Sequence, residues 1–172
     1  MAGSLILIDS DTASSSTSIS LTGMTSEYSV YMAIVYGVTH SQSAYDLLRF
    51  TVGGSPDVST NYDSQGKIIR TQGAFFNQGG GGYTNAAYGW MSPYEKSTTA
   101  QDQTATPIHI FNSQNASGYT FATIEETSKG TQVFGLQGGM VLKENQITDG
   151  INFHPNLGNY PTGTFKLYGL RK

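Results

Sequence analysis

The sequence predicts an all-β protein, built as a single antiparallel, jelly-roll-like β-sandwich over residues 1–172 with a short N-terminal arm. Three observations predict this class. Short runs alternate between apolar and polar residues with a period of two, as strands with one buried face do. Gly, Ser, Thr, Asn and Tyr are abundant, whereas charged residues make up 12% of the chain, against ~25% in an average soluble domain. No window shows the i, i+3, i+4, i+7 apolar spacing of a capped helix.

Length and charge narrow the function classes. The 172 residues suit one domain with a sizeable core. The net charge of −3 gives no basic footprint for nucleic acid, and the absence of Cys excludes disulfides, thiolate metal sites and cysteine nucleophiles. The N-terminus lacks the basic segment of a signal peptide, and its apolar run is too short to span a membrane. We therefore expect a protein made in a cytoplasm, with neither nucleic acid nor membrane as a partner.

Residues 1–14 are expected to form the arm. Four consecutive residues in it are large and apolar: Leu5, Ile6, Leu7 and Ile8. Whichever way a strand lies here, two of them face each side, and a lone edge strand with two apolar faces aggregates unless it is covered. The arm is therefore predicted to add to a sheet edge or to pack on a partner subunit. Asp9 and Asp11 follow as turn caps, or as the start of a cation loop that lacks the Gly and the distal Glu of an EF-hand.

Four strands are predicted before the middle of the chain. Residues 18–22 alternate cleanly, and in 28–36 both alternating sets are apolar, which predicts a central strand covered on both faces. Residues 48–52 end at a Gly-Gly-Ser-Pro break. Residues 57–66 are polar and are predicted to be a loop, and a short strand follows over 67–71.

Residues 77–106 are predicted to be a variable loop region rich in Gly and Tyr. Its four glycines, Gly79–Gly82, do not fit a phosphate-binding loop, because no Gly-Lys-Ser or Gly-Lys-Thr follows them. Four aromatic residues around them are candidates for interface or glycan contact: Tyr83, Tyr88, Trp90 and Tyr94. Such rings can stack on the apolar faces of sugars. Alternatively, they pack over the end of the sandwich or against a neighbouring subunit.

Further strands are predicted in the second half, over 107–111, 119–126, 132–143 and 147–154. The pair Gly138-Gly139 is interpreted as a bulge or bend within a strand. In the last of these strands, Ile151 and Phe153 are expected to face inward, and Asn152 and His154 outward.

The last strand, Thr164–Leu170, has the cleanest alternation in the chain. Phe165 and Leu167 share one face, while Lys166 and Tyr168 point the other way. A run of turn formers precedes it. Because chain ends that fray seldom carry so regular a pattern, we expect a central strand with Phe165 and Leu167 in the core.

The sequence predicts no catalytic residue, no cofactor and no metal ligand. The three histidines, His40, His109 and His154, are far apart and none has the spacing of a ligand pair. His109 is expected to be an outward strand residue. Glu125 and Glu126 point to opposite faces of one strand and cannot act as a carboxylate pair. No Gly-x-Ser-x-Gly nucleophile elbow occurs, so a non-enzymatic protein is expected.

Several segments resemble a known group of proteins. They are Ser-Ile-Ser-Leu-Thr-Gly at 18–23, Tyr-Ser-Val-Tyr-Met at 28–32, Leu-Arg-Phe at 48–50, Asn-Tyr-Asp at 61–63, Ile-Glu at 124–125, Gln-Gly-Gly at 137–139, Ile-Asn-Phe at 151–153 and the ending Gly-Asn-Tyr-Pro-Thr-Gly-Thr-Phe-Lys-Leu-Tyr-Gly-Leu at 158–170. Through them the chain resembles small virion proteins of tailed bacteriophages, of the marine and cyanobacterial phage type.

The resemblance implies a jelly-roll-like sandwich and a virion structural protein, most readily a capsid decoration or cement protein or an accessory protein attached to head or tail. It implies self-association as a homotrimer, the major capsid protein or tail and neck proteins as partners, and the virion as location. An alternative is a carbohydrate-binding host-attachment module, of fibre or receptor-binding type, that uses the Tyr83–Tyr94 region on a host surface glycan. The resemblance brings no catalytic residues.

Overall fold

The computed structural model describes residues 4–71, 76–77, 83–92, 96, 98–99, 104–129 and 133–170. Over these residues the chain is all-β, and it contains no helix. Two antiparallel sheets pack as a sandwich, which confirms the predicted fold class.

The described residues form fourteen strands. They are β1 (Leu5–Thr12), β2 (Ile19–Thr22), β3 (Val30–Tyr36), β4 (Asp46–Val52), β5 (Ser55–Pro56), β6 (Tyr62–Arg70), β7 (Phe76–Asn77), β8 (Tyr83–Ala86), β9 (Gly89–Trp90), β10 (Thr104–Phe111), β11 (Thr120–Lys129), β12 (Val133–Leu142), β13 (Gly150–Pro155) and β14 (Thr164–Leu170).

The strands divide into a large and a small sheet. The large sheet has nine strands in the order β1-β14-β3-β10-β11-β12-β6-β7, with β8 also paired to β6. The small sheet has five strands in the order β2-β13-β4-β5, with β9 also paired to β4. Because neighbouring strands run antiparallel throughout, one alternating set of side chains from each sheet faces the core between them.

The core follows from this alternation. In β3, Tyr31, Ala33 and Val35 are fully buried, and in β14 the same holds for Phe165 and Leu167. The small sheet contributes residues such as Phe153, whose ring lies 5.3 Å from that of Phe165 between centroids. β14 lies between β1 and β3, one strand from the sheet edge, and its two apolar residues face inward as predicted.

β3 has only one fully covered face. Its second apolar set, Val30, Met32 and Ile34, points away from the core and stays partly exposed. The prediction that both faces are covered is therefore wrong for this chain by itself, because the small sheet lies on one side of the large sheet only.

Two predicted loops contain strands. Residues 57–66 were expected to be a loop, but β6 begins at Tyr62; residues 77–106 contain β8, β9 and the start of β10. In β6 the inward positions are Tyr62, Ser64, Gly66 and Ile68. Two of the four are small and lack apolar side chains, so the hydrophobic pattern of this strand is weak in the sequence. The Gly79–Gly82 run lies outside the described residues.

The pair Gly138-Gly139 does not form a bulge. The register of β12 runs through both glycines without a shift, against β11 on one side and β6 on the other. A Cβ atom on Gly138 would lie 2.7 Å from the carbonyl oxygen of Gln65, so close approach of the neighbouring backbone requires glycine there.

A register shift does occur in β1, between Leu7 and Asp9. β1 forms the edge of the large sheet next to β14, and Ile8 packs against the core. Asp9 and Asp11 lie within β1 rather than in a turn. Asp9 accepts a hydrogen bond from the backbone N–H of Thr22 at 2.8 Å, which ties the edge strand to β2.

Candidate interaction surface

Three of the four aromatic residues predicted to make contacts lie together. The rings of Tyr83 and Trp90 stack with centroids 4.7 Å apart, and Tyr88 meets Trp90 edge-on at 6.2 Å. Tyr45 adds an edge-on contact at 4.6 Å. Tyr94 lies outside the described residues. The rings thus pack on one another, and Tyr83 covers one of the two indole faces on which a sugar could stack.

The backbone explains why these rings meet. β8 pairs with β6 of the large sheet, whereas β9 pairs with β4 of the small sheet. The segment from Tyr83 to Trp90 therefore crosses from one sheet to the other within eight residues and brings its aromatic side chains together. Sequence spacing cannot reveal this, because the crossing depends on pairing partners that are distant in the chain.

The apolar arm residues divide between two environments. Leu5 and Leu7 are 46% and 52% exposed, whereas Ile6 and Ile8 are partly buried. Leu7 stands opposite Tyr168 of β14, and Leu5 stands opposite Leu170. The exposed pair therefore continues the outward face of the large sheet.

The outward face of the large sheet carries a continuous apolar surface on one half. We define the apolar band as the outward residues Leu5, Leu7, Val30, Met32, Ile34, Phe111, Phe121, Tyr168 and Leu170. They come from five adjacent strands, β1, β14, β3, β10 and β11. Leu5, Leu7, Phe111, Phe121 and Leu170 are each between 38% and 52% exposed.

The register makes the band contiguous. Leu7 pairs with Tyr168, which pairs with Met32, and Phe111 lies between Val30 and Phe121. Directly opposed side chains in antiparallel strands have Cβ atoms about 4.5–5.5 Å apart. The residues therefore form one surface rather than scattered apolar positions, and the second apolar set of β3 was its signal in the sequence.

Three polar side chains, those of His40, Asp46 and Tyr160, meet in the interior, which the sequence did not predict. Oδ1 of Asp46 accepts a hydrogen bond from the Tyr160 hydroxyl at 3.0 Å and lies 2.7 Å from Nε2 of His40. Burial, with the Asp46 carboxylate beside it, raises the pKa of Tyr160 well above its usual value. His40, which looked isolated in the sequence, thus has a partner six residues away that the turn into β4 brings back to it.

A second buried pair joins Lys96 to Glu126, which are thirty residues apart in the sequence. Glu125 and Glu126 do face opposite sides of β11, as predicted, with Glu125 exposed and Glu126 buried. His40, Asp46, Lys96, Glu126 and Tyr160 are at most 4% exposed. Since these ionisable groups are closed to solvent, they organise the interior rather than form an open site.

The part of the chain that the structure describes contains neither a metal-binding cluster nor a membrane-spanning helix. No cluster of three or more His, Cys, Asp or Glu side chains there is arranged to hold a metal ion. In the same residues, no helix has the length and apolar character needed to cross a membrane.

Comparison with known proteins identifies no family. No protein-family model and no characterised protein sequence matches this chain. Among solved structures, the chain is similar to a mutant of the alginate lyase Aly36B in complex with an alginate tetrasaccharide, at 12% identity over 99% of this chain and 73% of the other. The TM-score is 0.22, which is too low for this similarity to carry an argument about fold or function.

Proposed function

We propose that this protein is a non-enzymatic structural subunit that associates with copies of itself through the apolar band. The observation that carries the proposal is the band itself, with five side chains at least 38% exposed on adjacent strands. Monomeric soluble proteins rarely expose a contiguous apolar patch larger than a few hundred Å². The largest apolar patch on a protein surface is often functional, so the band is a candidate interface.

The charge pattern favours a second copy as the occupant. Among the described residues, His109 and Lys166 are interleaved with the band, and no Asp or Glu is. Because the band offers a charged partner only one lysine to pair with, a nearly uncharged apolar surface such as that of a second copy complements it better. The small number of charged residues in the band also matches the cores of protein–protein interfaces, where charged residues are depleted.

The free edge of the large sheet, at β1, also favours a second copy of the chain as the partner. Of the described strands, β14 alone pairs with β1, and the other edge of β1 has no strand beside it in the sheet. A free edge presents backbone groups that can pair with another chain. Because Leu5 and Leu7 belong both to this edge and to the band, one neighbouring subunit can cover both.

The setting of this subunit rests on the resemblance to phage virion proteins. We propose that it is a homotrimer in the virion, where it decorates the capsid or is attached to head or tail through the major capsid protein or tail and neck proteins. Mass spectrometry of purified particles tests the location, and absence of its peptides from intact virions rules out this role. Release of the protein by mild treatment that leaves heads intact is the result expected for decoration.

Light scattering on purified protein tests the self-association. Wild type should have three times the chain mass of 18.5 kDa. The double variant Leu7→Ser with Phe111→Ser should shift to the monomer mass with an unchanged far-UV circular dichroism spectrum. The matched control is Val58→Ser, which removes a 67% exposed apolar side chain outside the band and should keep the wild-type mass. A wild type that is monomeric at high micromolar concentration, or a double variant that keeps the wild-type mass, contradicts the proposal.

A further inference from the structure

The other half of the outward face forms a trough along β12. Leu136, Met140 and Leu142 face the core, so the alternate residues face out. These outward residues are Val133, Gly135, Gln137, Gly139 and Val141. Because the two glycines have no side chains, they leave gaps between the side chains of the flanking strands. A Cβ atom on Gly139 would lie 3.0 Å from the carbonyl oxygen of Ala122, so the backbone approach itself favours glycine.

The flanking strands supply the walls of the trough. Gly139 lies between Thr123 of β11 and Gln65 of β6. Four residues along, Gly135 lies in the same way between Thr127 and Ile69. A cavity of about 440 Å³ lies over Gly139, and one of about 430 Å³ lies over Gly135. The two cavities succeed each other along a strand that is roughly 26 Å long from Val133 to Val141.

The cavity over Gly139 combines aromatic rings with neutral polar groups and with Asp63, which is paired with Lys143. Its rim includes the rings of Tyr83 and Phe121, and its polar groups include Gln65 and Thr123. The Tyr83 ring is held in place by stacking on Trp90 with an interplanar angle of 19°. A sugar presents an apolar ring face and several hydroxyls, and it is matched by aromatic rings beside amide and hydroxyl groups.

Charges of both signs lie along the trough, with Arg70 and Glu125 in the lining of the cavity over Gly135. Asp63 is paired with Lys143 at 2.8 Å. In the middle of the trough, Gln137 stands between Glu125 on one side and Lys67 on the other. With one anion and one cation flanking the same amide, the trough complements an uncharged ligand better than a strongly anionic or cationic one.

The hydrogen bonding of the sheet disfavours a polypeptide as the ligand. An extended peptide binds a sheet by adding to a free edge, where its backbone N–H and C=O groups find partners. β12 pairs along its length with β11 and β6, so its backbone offers no such edge. A nucleic acid would require a basic surface, whereas the chain has a net charge of −3.

We propose that this trough binds a neutral oligosaccharide, with Tyr83 as the stacking surface and Gln65, Thr123 and Gln137 as hydrogen-bonding groups. The site shares Tyr83 with the aromatic cluster around Trp90, because the Tyr83 ring stacks on the indole and also lines the cavity over Gly139. It is a binding activity beyond self-association. Phe121 lies at the border of the trough and the apolar band, and we assign its ring to the self-association interface.

Affinity electrophoresis of the full chain tests this proposal. The gels contain dextran, laminarin, mannan or hydroxyethyl cellulose as neutral probes, and alginate as an anionic one. At least one neutral polysaccharide should retard the wild type. Gln65→Phe should abolish the retardation, because an aromatic side chain opposite Gly139 fills the gap and is favourable beside a strand glycine. Tyr83→Ala should weaken binding at least about tenfold through loss of a stacking surface.

The matched control is Val58→Phe, which adds an exposed ring outside the trough and should be retarded like the wild type. Light scattering on each variant separates binding from assembly, since Gln65→Phe should keep the wild-type mass. The proposal is overturned if none of the neutral probes retards the wild type, if only alginate does, or if Gln65→Phe is retarded like the wild type. A monomeric wild type that is still retarded leaves this site intact and removes only the proposed self-association.

Discussion

Lys96 donates a hydrogen bond to Glu126 inside the sandwich, where the two side chains are 4% and 0% exposed. Lys96 is held there by a backbone bridge to Ala44, and Glu126 faces inward from β11. Burial raises the pKa of Glu126, whereas the neighbouring ammonium of Lys96 opposes this rise. Each charge therefore depends on the other, because an unpaired charge in this environment is strongly unfavourable.

Removal of one partner should destabilise the protein more than removal of both. Lys96→Met leaves the Glu126 carboxylate buried and unpaired, and breaking a buried pair in this way costs about 3–5 kcal/mol. The double variant Lys96→Met with Glu126→Leu should recover most of this loss. Guanidinium unfolding curves measure both, with Glu125→Gln on the exposed face of β11 as a control expected within about 0.5 kcal/mol. Equal effects of Lys96→Met and the control would show that the pair does not contribute.

His154 should make stability fall in acid. Burial, followed by the charge of Arg49, lowers its pKa from 6.5 to about 4, while Asp46 acts in the opposite direction. Well above pH 6.5 the imidazole of His154 is neutral in both the folded and the unfolded chain. Its protonation therefore does not lower the stability of the folded protein there. As the pH falls from 6.5 to 4, the unfolded chain takes up a proton that the folded chain does not, and stability is lost.

Thermal unfolding of wild type and His154→Gln at pH 7 and pH 4.5 measures this contribution. The midpoint of the wild type should fall further between the two pH values than that of the variant, which has no imidazole to titrate. Parallel decreases in the two proteins would assign the acid sensitivity to other groups.

Phe165 and Lys166 are neighbours in β14 with opposite roles. Phe165 is fully buried, with its ring 5.3 Å from Phe153 and 5.5 Å from Tyr160 between centroids. Phe165→Ala should cost about 3–5 kcal/mol, out of a total stability of about 5–15 kcal/mol. Lys166 faces outward, and its ammonium group lies 5.8 Å from the centre of the Tyr36 ring, so Lys166→Ala should change the free energy of unfolding by no more than about 0.5 kcal/mol. Similar small shifts of the thermal midpoint for both variants would place β14 at the periphery of the core.

Deletion of residues 1–9 should weaken assembly and leave the sandwich folded. The deletion removes Leu5 and Leu7 from the apolar band and uncovers the edge of β14. It also removes Ile8 from the core and the Asp9 hydrogen bond to Thr22, so the thermal midpoint should fall by several degrees. Light scattering and circular dichroism measure the two effects separately. An unchanged oligomer mass in the truncated protein would exclude the arm from the interface.

Some of the candidate surface was visible in the sequence. The two apolar sets of β3 indicated a strand with two faces to cover, and the run from Leu5 to Ile8 indicated an arm with two apolar faces to cover. The pair Gly138-Gly139 was visible too, but it was interpreted as a bulge or bend. The place of Gly139 at the bottom of the trough depends on the residues opposite it, Gln65 and Thr123, and this register is set by strands that lie elsewhere in the chain.

The sequence by itself determined the all-β class and the inward faces of its regular strands. The alternation of Phe165 and Leu167 with polar neighbours is a local property, because successive side chains of a strand point to opposite faces. Tertiary structure alone decided which strands became neighbours, and with them the Lys96–Glu126 pair and the Asp46–Tyr160 hydrogen bond. These contacts join residues 30 and 114 positions apart. Pairing over such distances depends on the packing of the whole chain, which no local pattern encodes.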